Sequence, residues 1–422
     1  LPISLAVEPW IALRLAAATI GTATVAAAYF AARSMFGAAP AAWSALFLAI
    51  NPQHVLWSRI GMEVVLTPFG AALAWLALRV VESGRRFGWL FLSLSLALTI
   101  YSGMMGKPAA AILAFAFLTR WPQLLRSMRL RPVEAAVAIL VLAAASVPAV
   151  QNAMSDAGRA RFEQIRLRAD SWPAFARSAA GRYATYWSPQ YLVFPHAWAF
   201  DTIQAMPDLP TSGKLSVVEG LVFAAGLIVL FGRRSVAYRW PLIAFLLLAA
   251  APAALTDSIA PSRLLFALPS LAFVMGLGAE RWTAVLGRRL GAGALLVGCA
   301  IAAGVAAADL AWRSERWLSE FFLCDQQRIL EALMERPESV RIVDASLPFV
   351  FEYAIHASGA SAKDVLAKEP RLPGLYLVRL ERSMIPPGAV VAARRDRPGP
   401  NGETVLEIGR YKIVRTAGRP PG

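Results

Sequence analysis

Charge is what this sequence has least of. Of its 422 residues, 16% are charged and 57% are hydrophobic, where a soluble domain carries roughly 25% charged residues. Mean hydropathy is +0.52. That balance excludes an ordinary soluble enzyme and fits a multi-pass membrane protein. Cysteine is almost missing. Cys299 lies in an apolar run and Cys324 beyond it, and two such residues build no disulfide framework. Histidine is scarce too, with 3 in the chain, and neither a CxxC nor an HExxH pattern occurs, so a His/Cys metal site has little to draw on. The opening LPISLAVEPW has no basic n-region and no cleavage site. It does not read as a signal peptide and reads instead as the interior of a longer chain. Internal repeats of 20–50 residues and low-complexity tracts are also lacking.

What is present is a succession of apolar runs. About ten reach helical span length, near residues 11–32, 40–56, 62–81, 87–104, 108–120, 133–150, 216–231, 240–256, 264–280 and 291–311. The fifth is short enough to be re-entrant. Thr67-Pro68 in the third reads equally as a cap and first turn. The net charge of +15 resembles a nucleic-acid signal until its distribution is considered. Alternate connections collect Arg33, Arg79, Arg85, Arg86, Arg120, Arg126, Arg129, Arg131, Arg233, Arg234, Arg239, Arg281, Arg288 and Arg289. The short connections between them hold Arg59, Lys107 and Arg263. By the positive-inside rule the first set is cytoplasmic, anchoring at anionic headgroups. No nucleic-acid partner is expected; the partner is membrane lipid. The same rule puts residues 51–61, the loop 151–215, residues 257–263 and everything after 312 outside the cytoplasm.

The long loop has helical stretches broken at Pro173, then a segment rich in Pro and aromatic residues. Trp172, Tyr183, Tyr186, Trp187, Tyr191, Phe194 and Trp198 fit an interfacial belt or packing, and equally fit stacking on a sugar or isoprenoid. After 312 the pattern changes. The runs VRIVDAS, GLYLVRL, AVVAARR and TVLEIGRYKIVRT predict short strands, with helical patterns near 314–336 and 348–357. The fold class expected is therefore mainly α: a polytopic helical membrane bundle, residues 1–311, followed by a small α/β extracytoplasmic domain, residues 312–422. No catalytic motif stands out in the second part, where Asp344, Glu352 and His356 read as surface residues.

The stretch NPQHVLWSRIGMEVVLT, residues 51–67, carries His54, Arg59 and Glu63 between two apolar runs. Charges at a span centre are costly, roughly 2.5–3.5 kcal/mol each on insertion scales. If the stretch is helical, Arg59 and Glu63 share one face at i and i+4. A structural ion pair bracing the loop and a functional role both explain them. His54 reads as a hydrogen-bonded loop residue, and Asp257 as a partner for Arg263.

Several segments carry a resemblance to the polyprenyl-phosphate-dependent membrane glycosyltransferases of the GT-C superfamily. They look most like glycosyltransferase family 39, which includes protein O-mannosyltransferases and lipid A aminoarabinose transferases. WIALRLAAATIGTATVAAAYFAARSMFG resembles the family's second span. NPQHVLWSRIGMEVVLTPFGAALAWLALR resembles its Ser-Arg…Asp/Glu segment. LALTIYSGMMGKPAAAILAFAFL resembles a Tyr-x-x-x-x-Arg-x-x-Pro segment with Lys107 in place of Arg, which keeps the charge but not the bidentate fork. RYATYWSPQYLVF and TDSIAPSRLLFALPSLAFVMGLGAE resemble the long loop and a late span. The likeness covers roughly residues 1–285.

The resemblance implies transfer of a sugar from a polyprenyl-phosphate donor, with inversion, at the outer face of the membrane; the Ala- and Arg-rich composition points to a GC-rich bacterium and so to its inner membrane. It implies Glu63 as a supporting acid, the family's main base lying in a loop that would precede Leu1. Arg14, Arg59, Lys107 and Arg263 are the expected donor-phosphate ligands, and Tyr186 and Asp201 the expected acceptor or sugar contacts. A divalent metal and the oligomeric state stay open. So do two other classes, a lipid or glycan flippase and a non-catalytic membrane scaffold.

Overall fold

The structure is a computed structural model of the whole chain. It describes residues 9–60, 63–103, 105–193, 215–232, 236–256 and 261–312. Beyond these it describes 329, 332–333, 335, 341–344, 375–378, 389–394, 402–408 and 411–416. The chain divides into two compact units, Leu1–Asp309 and Leu310–Gly422.

Among its described residues the first unit is built of helices. In chain order it holds α1 (Pro9–Phe36), α2 (Ala38–Ile50), α3 (Pro52–Ile60), a 3-10 turn (Glu63–Val65) and α4 (Leu66–Glu82). Next come α5 (Gly88–Tyr101), α6 (Gly106–Leu118), α7 (Trp121–Leu130) and α8 (Pro132–Met154). Then follow α9 (Asp156–Ile165), α10 (Trp172–Trp187), α11 (Pro189–Leu192), α12 (Val217–Gly232), α13 (Arg239–Ala249) and α14 (Ala251–Ala254). A second 3-10 turn (Pro261–Ala267), α15 (Leu268–Leu286) and α16 (Arg288–Trp312) complete it. Arg14–Phe36, Pro132–Met154, Arg263–Leu286 and Arg288–Ala308 are long and apolar enough to cross a bilayer, and five shorter apolar helices accompany them.

Two connections differ from a simple hydropathy reading. The run predicted as one span over 40–56 is broken at Asn51, whose extended backbone (φ −61°, ψ 123°) ends α2. Pro52 follows, and a residue before proline is steered away from helical geometry. The arginine-rich link after Arg120 is itself a helix, α7, which buries Leu124 and Ser127 and exposes Trp121 and Leu130. That two-faced pattern suits a helix lying at a membrane interface.

Helix α15 forms the centre, with Leu268 to Ala279 buried without interruption. It packs against α12 and α2. Small residues allow the approach: a Cβ on Gly278 would strike the Val222 carbonyl, and one on Gly226 would strike that of Val274. Close backbone packing of this kind replaces the hydrophobic drive that lipid does not supply. Trp75, fully buried, donates from Nε1 to Ser270 Oγ at 2.9 Å. Its ring meets Phe117, Phe245 and Phe273 edge-on at 5.0–6.1 Å.

At the end where α4 finishes, the arginines do more than anchor at headgroups, which is a correction to the sequence reading. Glu82, with its side chain 3% exposed, accepts from Arg120 Nε at 2.7 Å and Arg79 Nη1 at 3.1 Å. Tyr238 Oη also donates to it. Arg79 reaches the Ser34 carbonyl and Arg120 the Ala237 carbonyl. One carboxylate thus ties α4 to the α6–α7 turn and to the turn before α13. On the same end, Glu134 accepts from the Trp89 amide at 2.9 Å and covers the start of α5.

In the second unit, β1 (Arg341–Asp344), β2 (Leu375–Val378), β3 (Val390–Arg394), β4 (Gly402–Ile408) and β5 (Tyr411–Thr416) form one sheet in the order β2-β1-β3-β5-β4. The β1 strand runs parallel to β2 and β3, and β5 antiparallel to β3 and β4. Val390, Val391 and Ala392 of the central β3 are all buried, so both faces of the sheet are covered there. Most of the expected helices, with Glu352 and His356, lie outside the described residues.

Candidate functional site

The site is built at the end of the bundle where α4, α6, α12 and α15 begin. Asn51 organises the entry. Its Oδ1 accepts from the His54 amide at 3.0 Å and so caps α3, as a short side-chain acceptor does for the free donors of a first turn. Its Nδ2 donates to Glu219 Oε1 at 3.0 Å. Glu219 in turn accepts from the Ser216 amide at 2.6 Å, while Ser216 Oγ accepts from the Glu219 amide at 3.3 Å. This reciprocal pair is a capping box. Asn51 and Glu219 are each 1% exposed. The α2–α3 corner is therefore fixed to the start of α12 by buried polar groups.

Helix α3 is then locked against α1. His54 sits on this helix rather than in a loop. It is buried, with Nε2 3.1 Å from the Gly21 carbonyl. Ser58 Oγ donates to the His54 carbonyl at 2.7 Å and lies where a Cβ on Gly21 would be. Arg59 lies in α3, which is described to Ile60, and Glu63 opens a 3-10 turn, Glu63–Val65; residues 61 and 62 between them lie outside the described residues. Both side chains lie outside the described residues. The backbone position is informative all the same. The turn Glu63–Val65 packs against α1, α3, α4 and the second 3-10 turn, Pro261–Ala267, which carries Arg263.

Arg263 is buried, 9% exposed, and donates to Thr256 Oγ1. Thr256 also accepts, through its carbonyl, from Arg182 Nη1 of α10 at 2.6 Å. The Leu167 amide bonds the Leu255 carbonyl at 2.8 Å, and Tyr183 Oη bonds that of Leu247 at 2.6 Å. The long loop is thus fastened over the end of α13 and α14. Tyr186 is fully buried, its ring edge-on to Tyr191 at 5.0 Å. Burial holds the Tyr191 phenol well above its ordinary pKa, Tyr186 adds to the effect, and the positive charge of Arg263 opposes it. Those three side chains form one electrostatic group.

Lys107 lies half-buried in the first turn of α6 and has no ion-pair partner among the described residues. Its neighbourhood is tied to the same end, since Thr67 Oγ1 in the first turn of α4 donates to the Ser102 carbonyl at 2.7 Å. Arg14 is half-buried on α1. Asp201 and Asp257 lie outside the described residues. Among the described residues, no three of His, Cys, Asp and Glu gather closely enough to hold a metal ion.

Sequence comparison matches residues 3–150 to the dolichyl-phosphate-mannose-protein mannosyltransferase family. A search of curated proteins finds no match. Comparison of folds finds the crystal structure of ArnT from Cupriavidus metallidurans bound to undecaprenyl phosphate, with a TM-score of 0.56 at 14% identity. That match covers 96% of this chain and 83% of the other. The apo form of the same protein gives 0.54 at 13% identity, covering 95% and 83%. This chain has a GT-C fold. Within the GT-C frame, the residues that sequence reasoning passed over are Asn51, Ser216, Glu219 and Arg182. The pattern Ser-x-x-Glu at 216–219, ahead of an apolar run, is a legible capping signal. The contact of Asn51 with Glu219 spans 168 positions and leaves no local trace.

Proposed function

We propose that this protein transfers a sugar from a polyprenyl-phosphate donor to an acceptor on the extracytoplasmic face of a bacterial inner membrane, with inversion at the anomeric carbon. The observation that carries the reading is the meeting, at one end of a GT-C bundle, of the Glu63 turn, the Arg263 turn and α1. The first turn of α6, with Lys107, is tied to the same end. The ArnT structure with undecaprenyl phosphate supports a lipid-linked donor for the fold. Arginine-rich connections at the opposite end support an outward orientation for this one, and with it an extracytoplasmic C-terminal unit.

In this reading Lys107, Arg14, Arg59 and Arg263 hold the donor phosphate and stabilise the charge that grows on it as the sugar–oxygen bond breaks. Glu63 orients the acceptor or supports the base that takes its proton. The long loop, pinned through Arg182 and Tyr183, presents Asp201 to the acceptor. Tyr186 supports that surface from within by packing on Tyr191. A divalent ion, where one is used, would be held by carboxylate oxygens.

The test uses the intact protein in detergent with a labelled polyprenyl-phosphate sugar and a panel of acceptors. Release of label onto an acceptor is expected. Lys107→Ala should lower kcat/KM about tenfold, and Glu63→Gln about a hundredfold, with protein yields unchanged. Wild-type rates in both variants would refute the site. Movement of labelled lipid between leaflets without sugar release would point to a flippase, and binding without turnover to a scaffold.

A further inference from the structure

The end of the bundle opposite the proposed reaction site holds a cavity of about 570 Å³. Thr119 and Arg120 line it from the α6–α7 turn, and Val236, Ala237, Arg239 and Trp240 from the start of α13. Its charge is unbalanced. Arg79 and Arg120 share the one carboxylate of Glu82, and Arg239 adds a third guanidinium with no acid partner among the described residues. Arg239 Nη2 donates to the Phe231 carbonyl at 2.9 Å, yet its Nε is buried and makes no hydrogen bond. A buried guanidinium donor without an acceptor is costly unless an anion completes it. Two guanidiniums lining one concavity match the geometry of a phosphate, which accepts paired N–H donors.

The rim identifies the source of that phosphate. Trp240, 62% exposed, borders the cavity, with Arg239 5.0 Å from the centre of its ring. Leu118 and Trp121, beside the lining residues in sequence, and Phe231, whose carbonyl accepts from Arg239, are each about half exposed. The half-exposed helix α7 starts at the same turn. An indole and apolar surface next to two arginines is the arrangement met where a headgroup sits over its acyl chains. We propose that this cavity binds the headgroup phosphate of one anionic phospholipid from the leaflet opposite the reaction site, with the acyl chains lying over Phe231 and Trp240.

The experiment is native mass spectrometry of the intact protein in detergent, titrated with phosphatidylglycerol or phosphatidylcholine. Wild type should retain one phosphatidylglycerol in clear preference to phosphatidylcholine. Arg239→Gln should weaken that retention about tenfold, Trp240→Ala should weaken it less, and Arg85→Gln, at an exposed arginine away from the cavity, should not. Arg239→Lys, which keeps the charge without the fork, should fall between wild type and Arg239→Gln. Thermal melts check that each variant is folded, and the wild-type lipid preference stands independently of any variant. Equal retention of the two lipids would overturn the proposal. So would equal behaviour of Arg239→Gln and Arg85→Gln. Displacement of the lipid by millimolar inorganic phosphate would also overturn it, assigning the cavity to a free phosphate compound.

Discussion

Replacing Asn51 with Ala tests how the proposed site is held. In the structure Asn51 makes two bonds with different consequences. Its Oδ1 caps α3 through the His54 amide, and loss of a cap costs about 1 kcal/mol. Its Nδ2 satisfies one oxygen of Glu219, which is buried, and leaving such an acceptor unmet costs about 1–3 kcal/mol. Together the expected destabilisation is about 2–4 kcal/mol. The measurement is denaturant unfolding in detergent of wild type, Asn51→Ala, Glu219→Gln and the double variant. Glu219→Gln should also destabilise, because an amide cannot accept from both Asn51 and Ser216 as the carboxylate does. The double variant should be less destabilised than the sum of the singles by about 1 kcal/mol, since both remove the same bond. Asn51→Asp is a sharper arm. It keeps the cap on α3 but sets two acceptors face to face, so it should be no better than Asn51→Ala. Turnover should fall with stability in all four, because α3 carries Arg59 and leads into the Glu63 turn. An additive cycle, or an Asn51→Asp protein as stable as wild type, would refute the argument.

Other outcomes follow from single contacts. Glu82→Gln should destabilise the bundle by about 2–3 kcal/mol, below the 3–5 of a fully buried pair because both arginines are partly exposed; a melt unchanged from that of Arg85→Gln would contradict this. Gly278→Leu should prevent α15 from seating on the Val222 carbonyl and abolish monodisperse protein in size-exclusion chromatography, whereas Gly293→Leu, where a Cβ meets nothing within 4 Å, should be tolerated. Arg263→Gln should lower turnover about tenfold or more and raise KM for the lipid donor; an unchanged KM would separate Arg263 from the phosphate. The raised pKa of Tyr191 means the folded state keeps its phenol protonated where the unfolded chain has begun to ionise. Its contribution to stability is complete below about pH 10 and is lost as pH climbs through the higher folded value. The loss of stability on going to alkaline pH should therefore be smaller in Tyr191→Phe than in wild type, as read from melts across that range.

The sequence by itself determined the class of molecule and much of its layout. Apolar runs of span length place the helices because a bilayer requires every backbone donor and acceptor to be met within the segment. The strand-like runs after residue 340 recur as β1 to β5, since short runs of β-branched, aromatic and other apolar residues between turn residues are a local signal. The charged residues at 51–67 stand out from the apolar runs on either side for the same local reason. Tertiary structure alone decided the rest. It ended α2 at Asn51, began α3 at Pro52 and set Glu63–Val65 in a 3-10 turn. It brought the Glu63 turn against the Arg263 turn and buried Glu219 against Asn51. It converted Arg79 and Arg120 from expected headgroup anchors into clamps on Glu82. Each of these depends on which helix lies beside which. That choice rests on the fit of small residues such as Gly226 and Gly278 across interfaces, and the pattern along one helix carries no record of the surface it will meet.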